Sequence, residues 1–311
     1  MFQSLLPFCL LFLFFLALFI IWRINARKYI SSGTVASAYD AWTQDKLLER
    51  LWGEHIHLGF YPSGKKNIDF RKAKVQFVHE LVKWSGLDKL PKGSRVLDVG
   101  CGIGGSSRIL AKYYGFNVTG ITISPAQVKR AMELTPVGLN CNFQVMDALD
   151  LKFEDGSFDA VWSVEAGAHM NDKTRFADEM LRTLRPGGYL ALADWNSRNL
   201  KAYPPSFFEK LVLKQLLEQW VHPNFISIEE FGNILRKNNN SSGRVITDNW
   251  NSYTNPSWYD SIIEGIRRPF AILSLRPSAL VKSIREIPTI ILMNWAFRKG
   301  LMEFGVYKCR G

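Results

Sequence analysis

Between positions 95 and 105 the chain reads Arg-Val-Leu-Asp-Val-Gly-Cys-Gly-Ile-Gly-Gly. A short apolar run ends in a cluster of glycines, and a stretch of helical character follows over 106–114. Glycine lets a backbone turn sharply and approach a bulky ligand, and a helix N-terminus offers unpaired N–H groups to an anionic group. The chemistry expected here is therefore the holding of a nucleotide-like molecule against bare backbone, with Asp98 inside the strand and Cys101 within the loop as a small filler. A second set of residues could move protons. His55 and His57 alternate in one segment, Glu165 and His169 lie four apart in another, and Asp194 closes a later apolar run.

Glycine spacing alone leaves two ligands open. Gly100, Gly102 and Gly105 satisfy the dinucleotide pattern G-x-G-x-x-G. Gly100, Gly102 and Gly104 equally satisfy the G-x-G-x-G loop that resembles S-adenosylmethionine (SAM) methyltransferases. Three features favour SAM. Asp98 stands two residues before the first glycine. The next strand region, Asn-Val-Thr-Gly-Ile-Thr-Ile-Ser over 117–124, lacks the acid that a dinucleotide site expects there. Arg185-Pro-Gly-Gly188 before an apolar strand resembles the late methyltransferase motif.

The elements that must position these residues alternate. Strands are expected at 95–99, 116–121, 142–146, 158–163 and 189–193, with helices between them, which predicts a doubly wound, mostly parallel sheet. Residues 76–84 read as a helix with Phe77, Val78, Leu81 and Val82 on one face. Ser124-Pro-Ala-Gln127 opens a helix as an N-cap, a first-turn proline and a capping-box residue, and Ser227-Ile-Glu-Glu230 does the same by a capping box. Beyond Asp194 the pattern changes. Residues 206–220 have helical periodicity, 244–250 and 304–309 read as strands, and 258–299 form a helical, apolar and basic stretch suited to a lid. Within it Leu280, Val281, Ile284 and Ile287 share a face, a pattern compatible with packing on the core or with a membrane interface. Residues 238–243, Asn-Asn-Asn-Ser-Ser-Gly, read as an exposed loop.

Composition sets the outer limits. The 311 residues are 47% hydrophobic, enough for one large domain with appendages. Net charge is +11, but no dense Lys/Arg block with interleaved aromatics points to nucleic acid. The four cysteines, Cys9, Cys101, Cys141 and Cys309, form neither a C-x-x-C pair nor a zinc-type cluster, so no metal is expected. Residues 5–22 are almost wholly apolar and uncharged, and Arg23, Arg27 and Lys28 follow at once. That reads as a membrane-spanning anchor over 1–28, with everything after it cytoplasmic. A cap segment over 29–90 and a catalytic domain over 91–311, with a helical insertion at about 200–300, complete the expected organisation.

Two further segments narrow the reading. Trp-Gly-Glu-His-Ile-His-Leu-Gly-Phe-Tyr over 52–61 and Trp-Ser-Val-Glu-Ala-Gly-Ala-His-Met over 162–170, together with the glycine loop, resemble the tocopherol-type C-methyltransferases. The resemblance implies a seven-stranded SAM-methyltransferase sheet and SAM as methyl donor. It implies a prenylated benzoquinol lipid as acceptor (a 2-methyl-6-phytyl or 2-methyl-6-solanesyl quinol, in tocopherol and plastoquinone biosynthesis). Membrane lipids are expected as neighbours, at a plasma or thylakoid membrane. Carried over by position, Asp98, Gly100, Cys101, Gly102 and Gly104 would cradle the methionine part of SAM. Asp147 would face the adenine, and Thr122 and Gln127 the ribose. Glu165, His169, His57 and His55 are the candidates for acid–base catalysis. A γ-tocopherol, sterol or lipid methyltransferase, and a non-catalytic SAM-binding module, stay open as alternatives.

Overall fold

The computed structural model describes residues 11–13, 16–17, 19–20, 27–62, 68–239, 244–268, 270 and 277–311. Two helices, α1 (Ser32–Gln44) and α2 (Leu47–Trp52), precede α3 (Phe70–Ser85). The alternating body follows: β1 (Arg95–Val99), α4 (Gly105–Tyr114), β2 (Asn117–Thr122), α5 (Pro125–Leu134), β3 (Cys141–Val145), β4 (Phe158–Val164), α6 (Lys173–Thr183) and β5 (Leu184–Ser197). The last part contains α7 (Phe207–Gln219), α8 (Ile228–Asn238), β6 (Ile246–Asn249), α9 (Asn251–Thr254), α10 (Pro256–Arg267), α11 (Pro277–Arg298) and β7 (Met302–Arg310).

The strands form one seven-stranded sheet in the order β3-β2-β1-β4-β5-β7-β6. Strands β1 to β5 run parallel, and β7 is antiparallel to both β5 and β6. Strand order reverses between β1 and β4, which opens a crevice at their carboxyl ends, the usual ligand position in such sheets. Period-two alternation sends successive side chains to opposite faces. On β5, Ala191 and Ala193 join one core with Phe77, Leu81, Trp162 and Phe304, while Leu190 and Leu192 join the other with Phe176 and Met180.

Local signals place the helix ends. Asp69 caps α3 by accepting from the N–H groups of Arg71 and Lys72. Ser206 and Ser227 start α7 and α8 in capping boxes with Glu209 and Glu230. Ser124 caps α5 ahead of Pro125, but the Gln127 side chain does not reach back to complete a box; its Oε1 accepts from Thr122 Oγ1 at 2.6 Å. The Arg-Pro-Gly-Gly motif at 185–188 lies within β5 as a bulge: Phe158 pairs with Leu184 and Ala160 with Tyr189, and Gly187 takes φ 74°. The polar segment after position 30 folds as α1 and α2. Its helices were hard to read because only Val35 and Trp42 of α1 are buried.

Most of the expected anchor over 1–28 lies outside the described residues. Residues 11–13, 16–17 and 19–20 are helical and exposed, and among the described residues no helix is long and apolar enough to cross a membrane. The side chains of Leu280, Val281 and Ile284, and the loop over 240–243, also lie outside the described residues.

Candidate active site

A cavity of about 470 Å³ lies at the carboxyl edge of the sheet, within the usual range for small-molecule sites. One end is made by the turn after β1, the ends of β2 and β3, and the start of α5. The other is lined by α10 and α11, and residues of α1 and α2, which are tied to α5, line the wall alongside. Asp98, Gly100, Cys101, Gly102, Thr122, Gln127 and Asp147 all contribute to the first end.

The glycine turn is built for close approach. Gly100, Gly102 and Gly104 have φ of 79°, 55° and 81°. A Cβ on Gly100 would stand 2.3 Å from Ala166 Cβ, and one on Gly104 would stand 2.7 Å from the Phe143 ring. A Cβ on Gly102 would meet nothing closer than Gln127 Nε2 at 4.0 Å, so this glycine opens onto the void. The N–H groups of Gly100 and Cys101 both donate to Ile121 O at 2.9 Å, which ties the turn to β2. Cys101 is buried, and burial raises its thiol pKa well above the ordinary range.

Asp98 is 2% exposed and accepts from Ser107 Oγ at 2.5 Å. Burial pushes its pKa up to about 7 against the lowering effect of that hydrogen bond. A buried carboxyl facing a cavity, with no cationic side chain moving its pKa, suits a ligand that brings its own ammonium group. Asp147 follows β3, with Oδ1 accepting from the Leu149 N–H at 2.9 Å. Thr122 and Gln127 are buried and face the same end as neutral partners. The polar end thus fits SAM: an acid for the amino group, bare backbone beside it, and neutral and acidic hydrogen-bonding groups farther along.

The proton-moving candidates Glu165, His55, His57 and His169 all line the cavity. Glu165 follows β4 with φ 54°, a left-handed conformation uncommon outside glycine, and its Oε1 accepts from the Leu58 N–H at 2.7 Å. Desolvation raises its pKa to about 8, opposed by the Leu58 N–H; Asp194 raises it further while Lys74 and Trp195 lower it. The partly buried Glu165 side chain lines the cavity.

The two neighbouring imidazoles are hydrogen-bonded to each other. His57 Nδ1 contacts Leu58 O at 2.7 Å, and a carbonyl can only accept, so Nδ1 carries the proton. With burial lowering the His57 pKa to about 3, its Nε2 is left as an acceptor, and it lies 3.1 Å from His55 Nδ1, which therefore donates. His55 is also held neutral, chiefly by burial. His169 Nε2 meets Tyr39 Oη at 2.8 Å, and burial lowers the His169 pKa to about 4. Asp194 turns away from the cavity. Its Oδ1 accepts from the Trp195 N–H, and its other oxygen lies against Gly167 in the short turn Gly167–His169, where a Cβ would stand 2.2 Å away.

Three contributors escaped the sequence reading. Lys74 is fully buried on α3 and donates to Trp52 O and His55 O at 3.3 and 2.8 Å, so it holds the histidine segment in place. Tyr39 comes from α1, and His222 follows α7 into the cavity wall. None of the three belongs to a local motif; a buried Lys on an otherwise apolar helix face was the one available signal. Trp258 is fully buried against Trp195 and Trp220, while Tyr259 and Phe270 are exposed outside the cavity.

A methyltransferase-domain family matches residues 97–192. The chain is 55% identical over 288 residues to the 2-methyl-6-phytyl-1,4-hydroquinone methyltransferase of Synechocystis, covering 93% of this chain and 91% of that protein. It is 35% identical to the chloroplastic tocopherol O-methyltransferase of Arabidopsis thaliana, over 85% and 78% of the two chains. The crystal structure of geranyl diphosphate C-methyltransferase from Streptomyces coelicolor superposes with a TM-score of 0.66 at 19% identity, covering 90% of this chain and 97% of that one, a likeness of fold alone.

Proposed function

The chain belongs to the SAM-dependent methyltransferases of the tocopherol type, and from that premise we propose that it methylates a ring carbon of a prenylated benzoquinol at a membrane surface. The observation that carries this reading is one continuous cavity, polar at the glycine turn and apolar toward α10 and α11, with Glu165 at the junction. A headgroup seated beside Glu165 leaves the apolar end for the first part of its tail.

When bound, SAM supplies an electrophilic methyl group on a sulfonium. Asp98 would hold the amino end of the donor, and the turn at Gly100 and Gly102 would give its chain a bare backbone surface. Thr122 and Gln127 would face the ribose, and Asp147 the adenine. Glu165 takes the proton of a ring hydroxyl, which makes the adjacent carbon nucleophilic. A carboxyl at about pH 8 is closer to a phenol, near 10, than an ordinary glutamate is. His55 and His57 contribute neutral hydrogen bonding, and Leu58 N–H fixes the Glu165 rotamer. Alignment of ring carbon and methyl contributes more to rate than proton transfer does.

The lipid surface follows from the acceptor. A prenyl tail is retained in a bilayer by about 0.8 kcal/mol per CH₂, so the enzyme draws in only the headgroup. Exposed apolar side chains support docking there: Phe207 and Phe208 on α7, Ile266 and Phe270 near the end of α10, Ile287 and Ile291 on α11. Ile266 and Ile287 also line the cavity. Arg27 pairs with Glu286 at 3.6 Å and Tyr29 lines the cavity, so an apolar segment preceding them would enter the membrane beside that opening. The catalytic domain would then face the cytoplasm.

Labelled SAM offered with phytyl and solanesyl benzoquinols, γ-tocopherol and a sterol tests the reading. Label should appear as a methyl group bonded to a quinol ring carbon. Label confined to the chromanol or sterol, or SAM binding with no methylated product, would overturn it.

A further inference from the structure

His222 is 3% exposed, belongs to no motif, and takes no part in the methyl transfer just described. It follows α7, and its ring forms part of the cavity wall. The ring is well held. It stacks on His169 with centroids 4.2 Å apart and planes 23° apart, and it leans on Trp195 and Phe225 at 5.4 and 5.0 Å. Yet among the described residues neither ring nitrogen has a hydrogen-bond partner; the Ala168 backbone approaches without reaching hydrogen-bond geometry. Trp195 Nε1, in the same wall, nears Glu165 but likewise completes no hydrogen bond.

The backbone that delivers this ring is itself unusual. Val221 has φ 59°, a conformation that a β-branched residue rarely adopts, and strain of this kind gathers at binding sites. Its carbonyl lies 3.4 Å from His169 Nδ1, while His169 Nε2 is engaged by Tyr39. His169 is therefore occupied on both edges and acts as a platform, whereas His222 presents free edges. Packing alone does not account for an imidazole here, because a phenyl ring would stack as well without leaving buried polar atoms unpaired.

We propose that His222, with Trp195 Nε1–H as companion donor, recognises a ring hydroxyl of the acceptor and so determines specificity for phenolic rings. The proposal rests on the quinol methyltransferase reading. The hydroxyl donates its O–H to the imidazole and accepts from the indole. Burial first, then His169 and Lys173, keep the imidazole neutral, so it has one donor and one acceptor nitrogen and suits a hydroxyl.

The test compares binding of the phytyl benzoquinol with its two mono-deoxy analogues, in anaerobic detergent micelles with S-adenosylhomocysteine present. Tryptophan fluorescence reads the Kd. The wild type should bind one analogue about 10- to 100-fold more weakly than the quinol, because it leaves buried groups unpaired. His222→Phe should shrink that gap to within about 3-fold, and His222→Gln, which keeps a donor and an acceptor, should restore part of it. Calorimetry with S-adenosylhomocysteine should give near wild-type affinity in each variant, which establishes folding. If His222→Phe does not fold, the same comparison on His222→Gln and Trp195→Phe decides, and both must narrow the gap. A wild type that does not discriminate, or a phenylalanine variant that discriminates equally well, overturns the proposal. Turnover is scored separately: a wild type that discriminates in binding but never methylates the quinol defeats the catalytic reading and leaves hydroxyl recognition supported.

Discussion

At Glu165 a left-handed backbone, a hydrogen bond from Leu58 and a pKa raised to about 8 coincide. If it receives the phenolic proton, activity should rise with its ionisation. We expect kcat/KM to climb between about pH 7 and 9 and Glu165→Gln to lower kcat by about 10²- to 10⁴-fold with a flattened profile; a pH–rate series on both proteins checks this. Asp98 bears on the donor. Its pKa of about 7 means that a cationic ligand selects the ionised form, so SAM affinity should increase from pH 6 to 8 with proton release. Calorimetry in two buffers of different ionisation enthalpy reads that proton, and Asp98→Asn should abolish its release. Stability has the opposite sign. Both carboxyls are raised above their unfolded values of about 4, so the empty folded state binds more protons between about pH 4 and 8 and loses stability as pH rises through that window.

The elements over the cavity are clasped to the sheet domain by a few polar contacts. Glu49 of α2 pairs with Arg130 of α5 through both oxygens, Glu54 pairs with Arg108 of α4 at 2.7 Å, and Asp40 of α1 accepts from Ser124 Oγ and the Ala126 N–H. Gly105 marks where this cover meets the glycine turn. A Cβ there would lie 2.5 Å from Glu54 O and 2.9 Å from His55 Nδ1. Gly105→Ala should therefore push the 54–57 segment outward and raise the SAM Kd by about 10-fold or more, with a small change in Tm because the core is untouched. Glu49→Ala should have a milder effect, within about 5-fold, as expected for a partly exposed ion pair. Isothermal titration and thermal melts of the two variants separate these outcomes.

On the scale of the whole molecule, apolar side chains on three separate helices, α7, α10 and α11, stay in solvent although the sheet buries a full core on both faces. Burying one large apolar side chain in lipid contributes about 1.5–3 kcal/mol, so a triple change acts strongly on membrane partition. Replacing Phe207, Phe208 and Phe270 with serine should cut vesicle binding by about 100-fold or more in flotation assays. Turnover of quinol dispersed in detergent should stay within about 3-fold of wild type, since Phe207, Phe208 and Phe270 all lie outside the cavity wall.

Much of this architecture was legible in the chain because its causes are local. The glycine turn, the serine caps and the alternation of β1, β4 and β5 depend on neighbours a few positions away, and they located Asp98, Glu165 and the parallel sheet. The cover over the cavity was not legible: α1 and α2 bury little apolar surface of their own, so they lack a clear helical stripe. Even the conformation of Glu165 depends on Leu58, 107 positions away. Tyr39 meets His169 across 130 positions, His222 stacks on that same ring, and Asp194 faces a turn instead of the void. Sequence thus determined which residues could bind a sulfonium donor and move a proton. Only the tertiary structure decided which of them face one another, because burial and pairing depend on distances through space that no local pattern encodes.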